Sequence, residues 1–213
     1  MGCMPDVQSN KPSVEICLDK VCVHNAYKRI YIYHYKSFMG LDELPVIFLI
    51  KDSLWRNGKE EVTIGVKAKG MTVCPCAQQV YAYMEKLQSQ LPHVPSHSQR
   101  ALASVFIVTK PNNNIDLAKL TEVVLNSFSA PVLNYLKRDS EYKLVKQAFE
   151  NPKFVEDVAR DLIFNVYETF NAELHDDDKI VVKVVSYESI HPFNLYAFSL
   201  YRVGELRKLL SGQ

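Results

Sequence analysis

Cys74-Pro75-Cys76 sets two thiols one residue apart, just ahead of Val80, Met84, Leu87 and Leu91, which recur at helical spacing. A thiol at such a junction faces the free N–H groups of a helix start, and thiolate is the form of cysteine that binds metal or attacks an electrophile. Tetrahedral zinc sites separate paired cysteines by about two to four residues. A single intervening proline therefore argues against both thiols gripping one ion. One of them then coordinates while the other does something else; two ordinary small core residues explain the same string equally well. His97 follows Pro92 and Pro95 and precedes Arg100. Glu188 and His191 stand three residues apart at the end of a β-branched run, where a carboxylate and an imidazole can enter one pocket. His24, His34, His93 and His175 have no such company and read as surface or core side chains.

Lys137, Arg138 and Glu141 gather charge beside a helix start, which a solvated and capped helix end also explains. Glu156 and Asp157 come after Pro152, in a first helical turn where the dipole favours carboxylates in any case. One Cys, one His and one Glu make a mixed S/N/O set that holds a divalent ion and leaves a position for water. Open sites of that kind are catalytic, because the ion makes bound water a nucleophile near neutral pH. A closed structural metal module is the bland rival.

The elements that must position these groups follow from periodicity. Lys28–Lys36 is rich in Ile and Tyr and reads as a strand, Val46–Ile50 as a buried strand, and Glu61–Ala68 as a third that follows an Asn57-Gly58 turn. The period changes at Cys74, so that string sits at a strand-to-helix junction. Val105–Val108 is a strand, and Leu117, Leu120, Val123 and Val124 mark a helix with Asp116 near its start. Residues 140 to 170 form two helical pieces broken at Asn151-Pro152, the second with Phe154, Val158, Leu162 and Val166 on its apolar face. Ile180–Val185 and Phe193–Tyr201 are strands, and Val203–Leu210 a terminal helix. Strands, helices, strands: the pattern predicts an α+β fold with a mostly antiparallel sheet.

With 213 residues, 47% of them apolar, the chain reads as one globular domain over 1–213, single or bimodular, with a loose lead-in at 1–12. The 25 Lys plus Arg against 24 Asp plus Glu remove the electrostatic case for a nucleic-acid or anionic-membrane partner. No apolar run approaches the roughly 18 residues of a membrane span. Seven glycines, about half of average usage, weigh against Gly-rich phosphate loops. Five scattered cysteines without an apolar leader predict a reducing cytoplasm.

Five strings in order, CPC at 74–76, HSQR at 97–100, LKR at 136–138, NPKFVED at 151–157 and ESIH at 188–191, resemble the metal-dependent GTP cyclohydrolases of type IB and their archaeal type IV relatives. The likeness covers about residues 70 to 200, and Pro5-Asp6-Val7-Gln8 resembles the opening of archaeal members. It implies a tunnelling fold (T-fold), antiparallel sheets with paired helices, assembled as a homo-oligomer, dimer or tetramer, with active sites between subunits. By the same resemblance Cys74, His97 and Glu141 match metal ligands, Cys76, Glu188 and His191 match catalytic groups that move protons, and Glu156 matches the carboxylate on the guanine edge. Arg100, Lys137 and Arg138 are phosphate candidates on charge and place alone. The implied cofactor is one divalent ion per site, Fe2+ favoured, with Zn2+ or Mn2+ as alternatives. GTP is the implied substrate, its imidazole ring opened at C8 with loss of formate. The favoured product is a 7,8-dihydroneopterin 2′,3′-cyclic phosphate; the triphosphate, or a non-catalytic purine- or pterin-binding relative, is the alternative. Three features depart from the family: a short segment before CPC without an HMSR-like string, a long stretch from Cys76 to His97, and Phe193 where the family carries another His.

Overall fold

A computed structural model describes residues 17–18, 21–36, 43–55, 59–87 and 94–212, with side chains described at 46–53, 59–87 and 94–212. The strands are β1 (Cys17–Leu18), β2 (Val21–Lys36), β3 (Glu43–Trp55), β4 (Glu60–Val73), β5 (Ser98–Thr109), β6 (Ala130–Pro131), β7 (Lys179–Ser186) and β8 (Leu195–Arg202). They hydrogen-bond in the order β1-β2-β3-β4-β5-β7-β8, with β6 beside β4, and the pairings are antiparallel. Five helices occur among the described residues: α1 (Pro75–Met84), α2 (Leu117–Asn126), α3 (Arg138–Glu150), α4 (Val155–Phe170) and α5 (Val203–Ser211). The α+β architecture read from the sequence is the one observed. The Asn57-Gly58 turn and the lead-in at 1–12 lie outside the described residues.

Alternation builds the core. Along β5, Ala101, Ala103, Val105 and Ile107 are fully buried, as are Ile180, Val182 and Val184 along β7. Every second side chain therefore enters one layer. Val158, Leu162 and Val166 of α4 recur every four residues as one stripe, also fully buried in that layer. Asp116 caps α2 by accepting from the N–H groups of Ala118 (2.8 Å) and Lys119 (3.2 Å), and Asp157 accepts from the Phe154 N–H (2.9 Å) at the start of α4.

Helix α1 departs from its sequence pattern. Val80, Met84 and Leu87 are 56%, 70% and 39% exposed, while Gln78 and Ala82 face inward. The helix stops at Met84, where Lys86 turns left-handed (φ 55°) and the Leu87 N–H bonds back to the Ala82 carbonyl (2.9 Å). Leu91 lies outside the described residues. Hydrogen bonding decides the rotation: the buried Gln78 amide donates to the carbonyls of Phe149 (3.0 Å) and Val94 (3.4 Å). Turning the apolar stripe inward would remove that donor from two carbonyls, each costing about 1–3 kcal/mol.

Gly70 of β4 lies under the buried Phe128 ring, and a Cβ there would fall inside it. Gly70→Ala is expected to destabilise the fold by about 1–3 kcal/mol, read from urea unfolding; an unchanged midpoint would mean that the ring yields freely.

Candidate active site

The polar groups converge where β4 ends. In the β4–β5 ladder Thr72 pairs with Gln99 and Val73 with Ser98, and the Cys74 N–H continues the pattern to the His97 carbonyl (3.1 Å). Opposed residues of a ladder carry their side chains on one face, with Cβ atoms about 4.5–5.5 Å apart. Thr72 and Cys74 thus share a face with Gln99 and His97. Cys74 is also the N-cap of α1, its Sγ accepting from the Ala77 N–H at 3.4 Å. The Ser96 hydroxyl donates to the Cys74 carbonyl (2.7 Å) and holds the loop against the helix start. The strand-to-helix junction expected at CPC is present, with Cys74 half-buried, Cys76 exposed and neither in a disulfide.

His97 meets the other half of the site through β7. Its Nδ1 lies 2.9 Å from Gln99 Oε1 and 3.3 Å from Ser189 Oγ. Its ring stands edge-on to His191, with centroids 6.4 Å apart. His191 stacks on Phe193 at 5.2 Å, nearly parallel, so the phenyl ring braces the imidazole. Glu188 accepts from the Ser186 hydroxyl at 2.6 Å. The imidazole of ESIH therefore lies beside His97, while its carboxylate is held at the end of β7.

Two further anchors bring α4 to the same place. The Lys153 N–H donates to the Val73 carbonyl (3.0 Å), while the Val73 N–H donates to Ser129 Oγ (3.2 Å). Lys153 Nζ is held by the Ser127 carbonyl (3.0 Å) and Asp161 (2.8 Å). The first turn of α4, with Glu156 exposed, thus starts next to the residue before Cys74. Arg100 sits exposed on β5, its carbonyl accepting from the Tyr187 N–H (2.9 Å).

Glu141, Lys137 and Arg138 stand apart at the start of α3. All three are exposed; Lys137 is the N-cap, and Glu141 lies one turn before Leu144, which shares a small buried cluster with Val73. Among the described residues no three His, Cys, Asp or Glu side chains gather closely enough to hold a metal ion. Cys74 and His97 are still a donor pair of the right chemistry: sulfur and imidazole nitrogen suit zinc or ferrous iron, and they fit the implied ion. Sequence reading missed Thr72, Ser96, Gln99, Ser186 and Ser189 as members of the site. Gln99 and Ser189 left a trace, inside HSQR and ESIH.

Architecture and site together define an α+β domain with a thiol–imidazole pair at a sheet end, backed by a Glu/His string. The family model for type I GTP cyclohydrolase folE2 matches residues 36–197, and the chain belongs to that family. It is 38% identical over 167 residues to GTP cyclohydrolase MptA of Aeropyrum pernix, covering 78% of this chain and 58% of the relative. The proteins of the same name from Methanosphaera stadtmanae (33% over 158 residues, 68% of this chain and 50% of the relative) and Methanococcus maripaludis strain S2 (29% over 226 residues, 92% and 70%) are also similar. The chain spans 58% and 50% of the length of the first two curated relatives.

Gln78→Leu is expected to leave the Phe149 and Val94 carbonyls unpaired and to cost about 1–3 kcal/mol in urea unfolding. Unchanged stability would mean that α1 is seated by something other than this amide.

Proposed function

We propose that this chain is a metal-dependent GTP cyclohydrolase that opens the guanine imidazole ring at C8 and releases formate. The observation that carries the reading is the Cys74–His97 rung, which sets sulfur and imidazole donors on one face with His191 beside them. Membership of the family and relatives named GTP cyclohydrolase MptA support it.

Cys74, His97 and Glu141 would hold the divalent ion, Fe2+ in preference to Zn2+ or Mn2+; when bound, such an ion supplies activated water near neutral pH. Glu156, at the start of α4, accepts two parallel hydrogen bonds from the N1–H and 2-amino group of guanine. Arg100, Lys137 and Arg138 bind the phosphates. His191, braced by Phe193, exchanges protons with the opening ring, assisted by Glu188 and by the exposed Cys76. The product is a 7,8-dihydroneopterin 2′,3′-cyclic phosphate, with the triphosphate as the alternative.

The working form is a homo-oligomer of T-fold subunits, dimer or tetramer, whose sites lie between subunits. Two features support it: Glu141 stands outside the Cys74–His97 pair, and the outer strand β8 exposes Tyr196, Phe198 and Leu200 by 64%, 65% and 51%. The free thiols of Cys74 and Cys76 suit a reducing cytoplasm, and no described helix is long and apolar enough to cross a membrane.

Anaerobic incubation with GTP and Fe2+ is expected to yield formate, and the product's mass separates cyclic phosphate from triphosphate. Absence of formate with every divalent ion tried would overturn the reading. His191→Ala is expected to slow formate release by about 10²–10⁴-fold. Glu156→Gln is expected to raise KM for GTP about 10- to 100-fold, the loss of a charged hydrogen bond of roughly 1.5–3 kcal/mol, while its melting temperature stays unchanged.

A further inference from the structure

We propose that Gln99, Thr72 and Ser186 form a one-way hydrogen-bond relay from His97 to Glu188 that fixes His97 as its Nδ1–H form and leaves Nε2 as the free lone pair. The inference rests on reading His97 as a metal ligand, and it makes the three relay members positioning residues.

Four contacts run in series across three strands. His97 Nδ1 lies 2.9 Å from Gln99 Oε1, and Gln99 Nε2 lies 3.0 Å from Thr72 Oγ1. Thr72 Oγ1 lies 3.4 Å from Ser186 Oγ, which lies 2.6 Å from Glu188 Oε1. Thr72 is fully buried and Ser186 is 1% exposed, so both hydroxyls must find partners within the protein.

Counting protons fixes the direction. A carboxylate only accepts, so Ser186 spends its single hydroxyl proton on Glu188. Ser186 then faces Thr72 with lone pairs, and the Thr72 proton must fill that contact. Thr72 in turn faces Gln99 with lone pairs and takes a proton from the amide NH₂. That leaves the amide oxygen toward His97, and an oxygen there requires Nδ1 to carry the proton.

Turning the amide over fails. Thr72 would donate to Gln99 and Ser186 to Glu188, leaving no proton between the two buried hydroxyls. Two oxygens would then face each other away from solvent, a cost of about 1–3 kcal/mol. Ser189 Oγ, at 3.3 Å, is a hydroxyl that serves either tautomer, so the direction is set by the buried members alone.

A neutral imidazole binds metal through the nitrogen that lacks the proton. Ligating histidines are oriented by what their other nitrogen donates to, and loss of that partner costs about 10- to 100-fold in metal affinity. Here the partner is a neutral amide polarised by a carboxylate three hydrogen bonds further on, with each link aligned in the same direction.

Protein labelled with ¹⁵N-histidine and free of metal, at about pH 8 where a model imidazole is neutral, gives the direct test. The His97 resonance, assigned by its loss in His97→Gln, is expected to report Nδ1–H. Gln99→Leu is expected to shift it toward Nε2–H and to weaken Co2+ binding about 10- to 100-fold, read from the thiolate-to-cobalt absorption. Gln99→Glu, which keeps an acceptor, retains the wild-type tautomer. Thr72→Val, nearly isosteric, gives a weaker shift in the same direction. An Nε2–H form in the wild-type protein overturns the relay, as does a Gln99→Leu variant with unchanged tautomer and Co2+ affinity. If the tautomer and affinity behave as stated while GTP gives no formate, the relay stands and the cyclohydrolase reading falls.

Discussion

One rung of backbone hydrogen bonding, from the Cys74 N–H to the His97 carbonyl, governs the geometry of the site. It extends the β4–β5 ladder by one pair past the end of β4, just before the chain turns into α1. Because that pair stays in register, a residue that caps a helix and a residue in a loop present their side chains as strand neighbours do. The side chains inherit the rigidity of a sheet while their backbones keep the openness of a sheet end. Val73, the residue before, is clamped on both backbone groups, by Lys153 and by Ser129. The rung therefore cannot slide without disturbing the starts of α4 and β6.

Much of this was legible in the residues. The apolar runs of β5 and β7 reported buried strands, and the four-residue stripe of α4 reported its inner face, because burial on one side of a helix imposes a period that the side chains must obey. Asn151-Pro152 separated α3 from α4, and the change of period at Cys74 located the junction. Chain order alone placed Glu188 and His191 at the end of β7; the pairing of β7 with the strand that begins after His97 came only with the fold.

What the residues concealed has equally physical causes. The apolar stripe of α1 pointed to the wrong buried face, since periodicity weighs hydrophobicity and is blind to a lone amide that satisfies two carbonyls. Serines and threonines of β4 and β7 carried no signal either. A hydroxyl on a strand is commonplace, and only the register shows that Thr72 and Ser186, 114 residues apart, touch. The position of Glu141 was equally hidden, since no local pattern reveals which part of a fold a helix start will face.

The relay spans β4, β5 and β7, so its last member joins only after the chain has travelled from residue 72 to residue 186. Contacts of such high sequence separation form late, because the entropy of closing the intervening chain must be overcome first. A nascent polypeptide that has folded its early hairpins already owns the thiol and the imidazole. It lacks the carboxylate that would set the imidazole's orientation until the final third has docked. On the proposed reading of His97 as a metal ligand, competence to hold an ion is thereby tied to completion of the sheet.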